Sequence, residues 1–257
     1  MLNRSLPVLF LVAAFLFPDI APAQQPSSSQ ALALSVLQSS VAAMGGSPPA
    51  DSVASGSVTT AAGSLTENGA IVILTRGSDQ TSEQLQTPSG NTTVYSHGNA
   101  SQVQGTTVTP QPLELAVTAQ SAYFPLQLFT SAVNDPDSAF SYVGVETINN
   151  VSAHHVRYWK AFASSPQLAT LASFSTRDVW IDTVSNLPIR VAYSDHAGDG
   201  AVPAVSIEVI YSNYQAFNGV LYPLTIQKSV NGTPWAAITL SSVVFNTGLT
   251  DANFPLE

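Results

Sequence analysis

The last third of the chain, residues 175–257, opens with the stretch STRDVWIDTVSNLPIRVAYSD (175–195), in which apolar and polar residues alternate. The alternation continues through three further runs around Ile207, Leu224 and Ile238. A period of two is typical of a strand with one buried face, and the Asn-Gly pairs between the later runs favour tight hairpin turns. The pattern predicts a five-stranded antiparallel meander with one apolar face, which another part of the chain must cover.

Composition restricts the classes of partner. Charged residues make up 9% of the sequence, the net charge is −9, and the few cationic residues are scattered along the chain. This distribution argues against nucleic acid binding and against electrostatic attraction to anionic lipid headgroups. The chain has no cysteine and therefore no disulfide, which in an exported protein favours a bacterial source.

Residues 1–23 are predicted to be a signal peptide. Arg4 gives a positive start, residues 8–17 form an apolar run, and Ala21-Pro22-Ala23 matches a cleavage site of the A-x-A type. The run is too short to span a bilayer, so we expect no membrane anchor. We expect a periplasmic or secreted protein after cleavage near Ala23, with a disordered leader at residues 24–29 and a single domain at residues 30–257.

Between the leader and the meander, the sequence predicts helices and further strands. Gln30 to Met44 is predicted to be a helix that ends at Gly45-Gly46, with Ser28 or Ser29 available to cap its start. The apolar stripe of this helix consists of Leu34, Leu37, Val41 and Met44.

Residues 53–105 predict four or five short strands that are more polar than the meander. Residues 110–133 are dense in apolar residues without alternation, which predicts one or two short helices interrupted before Pro125. A hairpin around Asn149-Asn150 and a short helix or loop at residues 166–173 complete the prediction. The fold class is α+β, with a curved antiparallel sheet that wraps helices lying on its apolar face.

Several segments match the strand ends and turns of one known family. They are Met44-Gly45-Gly46, YVGVE (142–146) with HHVR (154–157), VWID (179–182) with NLPIR (186–190), YSNY (211–214) with Gly219, Leu221 and Pro223, and VVFN (243–246) with Phe254. In these features the chain resembles the outer-membrane lipoprotein carrier family, the LolA/LolB-like superfamily of periplasmic proteins.

The resemblance implies an unclosed β-barrel whose concave apolar face encloses a cavity under a helical lid. Proteins of this shape carry the acyl chains of lipoproteins or bind other lipids. No position of this chain matches the arginine that latches the lid of the carriers, which favours a general relative over a dedicated lipoprotein chaperone.

The leading hypothesis is a non-enzymatic exported protein that binds a lipid or another apolar ligand between sheet and helices, with lipid or lipoprotein transport as its expected role. No cofactor and no metal ion are expected. The predicted wall of the cavity consists of Val179, Ile181, Ile189, Val191, Tyr193, Val205, Ile207, Val209, Tyr211, Leu224, Ile226, Ile238 and Leu240. The predicted lid residues are Leu34, Leu37, Val41, Tyr123, Phe124 and Leu128.

Two other hypotheses stay open. The apolar stripe fits a solid core equally well, and the protein would then be a structural or protein-interaction module. The third hypothesis is a secreted hydrolase built around Asp195-His196, which requires a distant serine to reach that loop. The aromatic residues Trp180, Tyr193, Tyr211 and Trp235 are expected either at a cavity mouth or at a sheet edge.

The remaining candidate sites are weak. His154 and His155 are adjacent on a predicted strand, so their side chains point to opposite faces and cannot bind one ion together. Asp178 and Asp182 lie roughly 13 Å apart along a strand, which is too far for a glycosidase pair. We expect them instead on a polar outer face, where Arg177 or Arg190 pairs with an aspartate.

Overall fold

The structure of the protein is a computed structural model that describes residues 28–77, 79–97, 100–105, 107–111, 122–195 and 204–256. The predicted signal peptide, residues 24–27 of the leader, the apolar residues around Leu113 and the histidine of Asp195-His196 lie outside these ranges. Among the helices in the described ranges, none has both the length and the apolar character needed to cross a bilayer.

Thirteen strands of the described residues form one antiparallel sheet. Neighbours in sequence are neighbours in the sheet, except that β1 pairs with β13, so the two edges are β6 and β7. These edges do not pair with each other, and the predicted α+β fold with an unclosed barrel is confirmed. The strands are β1 (Asp51–Ala62), β2 (Leu65–Arg76), β3 (Gln80–Thr87), β4 (Gly90–His97), β5 (Ala100–Gln104), β6 (Val108–Pro110), β7 (Ser138–Ile148), β8 (Val151–Lys160), β9 (Arg177–Asp182), β10 (Pro188–Asp195), β11 (Val205–Phe217), β12 (Val220–Val230) and β13 (Thr233–Phe245).

The turns of the meander form as the sequence predicts. Asn218 and Gly219 have φ angles of 50° and 84°, and Asn231 and Gly232 have φ angles of 49° and 73°. Two successive positive φ values match the two-residue hairpin turns that fit the twist of the flanking strands. The five strands of the meander are therefore confirmed. In the N-terminal half β2 begins already at Leu65, ahead of the apolar run that starts at Ala70.

Helix α1 spans Ser28–Ala43. It begins at Ser28 rather than at Gln30, so the last two residues of the predicted leader are helical. Gly45 and Gly46 end the helix with φ angles of 122° and 80°, and the Gly46 N–H donates to the Val41 carbonyl at 2.8 Å. A Cβ at Gly45 would lie 2.8 Å from the carbonyl oxygen of Gly219, so only glycine lets this end dock on the β11–β12 turn.

The side chain of Ser29, at the start of α1, forms hydrogen bonds to the edge strand β7. Its hydroxyl accepts from the Tyr142 N–H at 2.9 Å and lies 3.2 Å from the Tyr142 carbonyl oxygen, to which it donates. Both outward backbone groups of Tyr142 on the edge strand β7 are thereby satisfied by the helix. This contact anchors the start of α1 to one edge of the sheet.

Helix α2 spans Pro125–Asn134 and packs against α1. Pro125 occupies the first turn, where its missing N–H has no intrahelical acceptor to lose and its fixed φ suits the helix. The predicted break before Pro125 is therefore confirmed. A short 3-10 helix, Pro166–Ser175, leads from β8 into β9, in the region where the sequence predicts a short helix or loop.

The sheet has an inner face and an outer face. The inner face carries Val156, Val179 and Val191 and is covered by the lid, by which we mean α1, residues 122–124 and α2. The outer face of β1 to β3 carries the C-terminal tail, residues 246–256. The Asp51 carboxylate accepts from the Thr247 N–H at 2.6 Å and its hydroxyl at 2.9 Å, and from the Gly248 and Leu249 N–H groups at 2.9 and 3.1 Å.

Candidate functional site

The predicted wall residues lie on the inner face with one exception. All but Ile189 belong to the apolar cluster beneath the lid or, like Tyr193 and Val205, pack at its margin. Ile189 is half-buried and outside this cluster because β10 contains an irregularity: Pro188 faces Ile181 and Arg190 faces Trp180. The placement of Ile189 in the wall is therefore corrected, and Pro188 takes its position opposite Ile181.

The predicted lid residues all pack against this wall. Leu37, Tyr123, Phe124 and Leu128 are buried, and Leu34 and Val41 pack at the margin of the cluster. The most buried residues of α1 are Ala33, Val36, Leu37 and Ser40, so the inward stripe is rotated slightly from the predicted one.

Phe124 of the lid packs against aromatic residues of the sheet. Its side chain is 1% exposed, and its ring centroid lies 4.7 Å from that of Tyr222 in a stacked arrangement. Phe245 lies 6.1 Å away on the neighbouring strand. The lid therefore places one aromatic ring into an aromatic pocket of β12 and β13.

A few polar contacts hold the lid segment in place. The Tyr123 hydroxyl donates to Glu83 Oε1 at 2.7 Å, and the Tyr211 hydroxyl donates to the Ala122 carbonyl oxygen at 2.5 Å. Lys228 Nζ lies 5.7 Å from the ring centroid of Tyr123 and 4.8 Å from that of Trp235. Burial raises the pKa of Tyr123 well above its usual value, with Glu83 adding to the effect, so this hydroxyl remains a donor.

A polar row crosses the inner face at the start of β9. Arg177 pairs in register with Tyr158 on β8 and with Tyr193 on β10, and its Cζ lies 4.8 Å from the Tyr193 ring centroid. The prediction that Arg177 lies on the outer face is wrong. Arg177, Val179 and Ile181 are two residues apart along β9, so their side chains lie on the same face of the sheet. Arg177 therefore faces inward, and it is 3% exposed.

Tyr158 adds a buried hydroxyl to the row. Burial raises the pKa of Tyr158 to about 12, and the nearby Arg177 charge reduces the shift. The hydroxyl oxygen is buried and has no hydrogen-bond partner. The only other tyrosine of the described residues in this state is Tyr222, on β12.

The outer face of β7 to β9 carries a connected polar cluster. Asp178 accepts two hydrogen bonds from Arg157, both at 3.0 Å, and lies 2.7 Å from His155 Nε2. His155 Nδ1 lies 2.7 Å from Glu146. The Trp180 indole N–H donates to the same carboxylate at 2.8 Å, and this bond, followed by that from His155, lowers the pKa of Glu146.

Trp180 belongs to this outer cluster and not to a cavity mouth. Its ring stacks on His155, with centroids 4.4 Å apart, and the Cζ of Arg190 lies 4.3 Å from its ring centroid. Arg190 pairs with Glu208 at 2.5 Å, so the predicted pairing of Arg190 with an aspartate is also wrong. Tyr193, Tyr211 and Trp235 pack on the inner side, with or beside the apolar cluster.

The weaker candidate sites do not assemble. His154 contacts the Tyr142 hydroxyl at 2.9 Å while His155 faces Trp180, so the two rings point to opposite faces as predicted. Asp182 accepts from the Val184 N–H and the Ser185 hydroxyl within its own turn. Within the described ranges, no three His, Asp or Glu side chains are placed to hold a metal ion.

Comparisons with known proteins define the fold. No protein-family model matches the sequence, and curated proteins give no match. Solved structures do match: a DUF1329 family protein from Desulfovibrio piger has 12% identity and a TM-score of 0.59, over 89% of this chain and 98% of that chain. A LolA superfamily protein from Nitrosomonas europaea has 12% identity and a TM-score of 0.56, over 90% of this chain and 99% of that chain.

A third structure is a domain proposed to sort outer membrane lipoproteins, from Vibrio parahaemolyticus. It has 12% identity and a TM-score of 0.56, over 86% of this chain and 95% of that chain. The architecture of this chain is therefore LolA-like, as the sequence resemblance predicts. At these identities the likeness concerns the fold.

Proposed function

We propose that this protein is an exported, non-enzymatic carrier that binds the acyl chain of a lipid or of a lipoprotein between the inner face and the lid. The observation that carries the proposal is the inner face itself, a largely aliphatic surface covered by elements with few polar bonds to the sheet. Its fully buried members include Val156, Val179, Ile181, Val191, Val209, Ile226 and Ile238.

The physical basis of binding is apolar burial. Each methylene of a bound chain gains about 0.8 kcal/mol on leaving water. An acyl chain that enters where Phe124 packs replaces one apolar contact by another, so little packing energy is lost. The hydrogen bond from Tyr123 to the half-buried Glu83 is replaced by bonds to water when the lid opens.

The similar structures support this proposal through their fold. One is a LolA superfamily protein, and another is a domain proposed to sort outer membrane lipoproteins. Transport of a lipid or lipoprotein in the periplasm is the role we infer for this chain, with the signal peptide predicted at residues 1–23 as its route of export.

The test is to express the full chain in a bacterium, purify the exported form without detergent, and identify bound lipid by mass spectrometry of the extract. We expect a lipid in stoichiometric amount. Ile207→Glu should remove this lipid because it places a charge on the inner face, where Ile207 is 5% exposed. Ile210→Glu on the same strand is the matched control, since Ile210 faces outward beside Arg190.

Circular dichroism must show that both variants keep their strands. A wild-type protein without lipid, which also fails to take up an apolar fluorophore, would contradict the carrier function. Equal lipid loss in both variants would contradict the inner face as the binding surface.

The second candidate is a protein-interaction module with a solid core. The stack of Phe124, Tyr222 and Phe245 favours it, because these rings pack against one another in the buried core beneath the lid. Such a module would purify free of lipid, and its thermal midpoint would not respond to added fatty acids or detergents below their micellar concentration.

A further inference from the structure

The polar row of Tyr158, Arg177 and Tyr193 lies at one end of the inner face, where the β8–β9 and β10–β11 connections leave the sheet. The next inward-facing row in the same register consists of Val156, Val179 and Val191, each 0% exposed. Ile181 follows beyond Val179 on β9 and is also 0% exposed. A buried cation therefore borders a purely aliphatic surface, and both lie under the lid.

This row is costly for the stability of the fold. Burial of a guanidinium or a hydroxyl carries a desolvation penalty, and apolar residues of similar volume often stabilise a core as well or better. Tyr158 is 4% exposed and its hydroxyl has no hydrogen-bond partner, although it stands directly beside Arg177 in register. Buried polar atoms in this state are rare and call for a specific explanation.

We propose that Arg177 and Tyr158 bind the head group of an anionic single-chain amphiphile whose alkyl chain runs along β9 past Val179 and Ile181. The inference rests on the proposed carrier function, because it assigns a class of ligand to the same inner face. The guanidinium donates to a carboxylate or phosphate oxygen, and the Tyr158 hydroxyl donates a further hydrogen bond. The ring of Tyr193, whose centroid lies 4.8 Å from the Arg177 Cζ, supports the guanidinium by a cation–π contact.

The decisive comparison uses three ligands with the same chain: hexadecanoate, hexadecyl phosphate and hexadecanol. Affinities are measured at pH 8 with lipid-free protein, by displacement of an apolar fluorophore. We expect at least one of the two anions to bind about tenfold or more tightly than the alcohol, the usual gain from a charged hydrogen bond. Whichever anion binds more tightly identifies the head group as carboxylate or phosphate.

Two variants test whether the polar row causes the preference for the anions over hexadecanol. Arg177→Met should abolish the preference for the anions while the affinity for hexadecanol stays unchanged. Tyr158→Phe, which removes one oxygen atom and should fold normally, should reduce the preference about fivefold. The matched control is Tyr222→Phe, because Tyr222 has an equally buried and unpartnered hydroxyl on β12, three strands from β9.

The outcomes separate this inference from the proposed function. If the wild type binds all three ligands with equal affinity, or if Tyr158→Phe and Tyr222→Phe behave alike, the head-group site is refuted while the carrier function stands. If the wild type binds none of the three, hexadecanol included, both proposals fail.

Discussion

The two faces of the same sheet are held in different ways. On the inner face the lid is attached mainly through apolar side chains such as Phe124, Phe129 and Leu126, which are at most 1% exposed. On the outer face the C-terminal tail is attached through Asp51, which accepts four hydrogen bonds from residues 247–249. Gln80 and Arg76 add further polar contacts to Asp251.

This difference indicates which of the two covering segments, the lid or the C-terminal tail, can be displaced more easily. Apolar contacts are not directional, so an acyl chain can replace the apolar contacts of the lid, and few hydrogen bonds to the lid must be given up. Hydrogen bonds to a carboxylate require a fixed geometry. When they break, they leave polar groups without a partner, which costs free energy. The outer face is therefore suited to keep the strands in register, and the inner face is suited to open.

Phe124→Ala should have the largest effect on this comparison. Loss of a fully buried phenyl group should lower the free energy of unfolding by about 3–5 kcal/mol, because it removes apolar burial and leaves a cavity against Tyr222. Urea denaturation measures the loss, and Phe124→Leu should lose clearly less. A loss below about 1 kcal/mol for the alanine variant would show that the lid is not fixed by apolar packing.

Asp51→Asn tests the outer face and should have a smaller effect, which depends on pH. Burial alone raises the pKa of Asp51, but hydrogen bonds from Thr247, Leu249 and Gly248 outweigh it and lower the pKa below its usual value of 3.8. A lowered folded pKa means that the carboxylate stabilises the fold above pH 3.8, and that this contribution is lost as the pH falls through the folded pKa.

At pH 7 we therefore expect Asp51→Asn to lower the free energy of unfolding by about 1–3 kcal/mol. The difference from the wild type should shrink as the pH is lowered below 3.8. The measurement is a series of urea midpoints from pH 7 to the acid limit of folding. Asp79→Asn, at an exposed position, is the control. A difference that stays constant with pH would contradict the role of the carboxylate.

The sequence predicted the faces of the strands far better than the pairing of polar groups. Alternation placed Val179 and Ile181 on the inner face and Asp178 on the outer one, because one residue step inverts the side of a strand. The same parity places Arg177 on the inner face, whereas the general rule that charged side chains face outward predicts the opposite.

The partners of the polar groups depend on contacts between distant segments. Asp178 binds Arg157 and His155 from the neighbouring strand, and Asp51 binds a tail 196 positions later in the chain. No local pattern encodes such distances. The irregularity at Ile189 was also not predictable from alternation, since it shifts the register within a single strand.

Tyr123→Phe should have the smallest effect on overall stability. It removes one hydrogen bond, to a half-buried glutamate that water can solvate, so we expect a loss of about 1 kcal/mol. Local opening of the lid should increase nonetheless, which hydrogen exchange of the amides at residues 122–129 measures. Tyr95→Phe on β4 is the matched control. If exchange at residues 122–129 is equal in both variants, the contact with Glu83 does not hold the lid.

The pairing of β1 with β13 has a consequence for how the chain acquires its structure. The two strands that meet in the middle of the sheet are the first and the last of the described residues. The carbonyl of Met44, directly after α1, accepts a hydrogen bond from the Leu221 N–H on β12. Contacts between such remote positions form slowly, because a long loop must close before they stabilise anything. The sheet therefore cannot be completed until β13 is available to pair with β1. We expect slow folding, with a long-lived unfolded state that suits passage through a narrow channel before the structure forms.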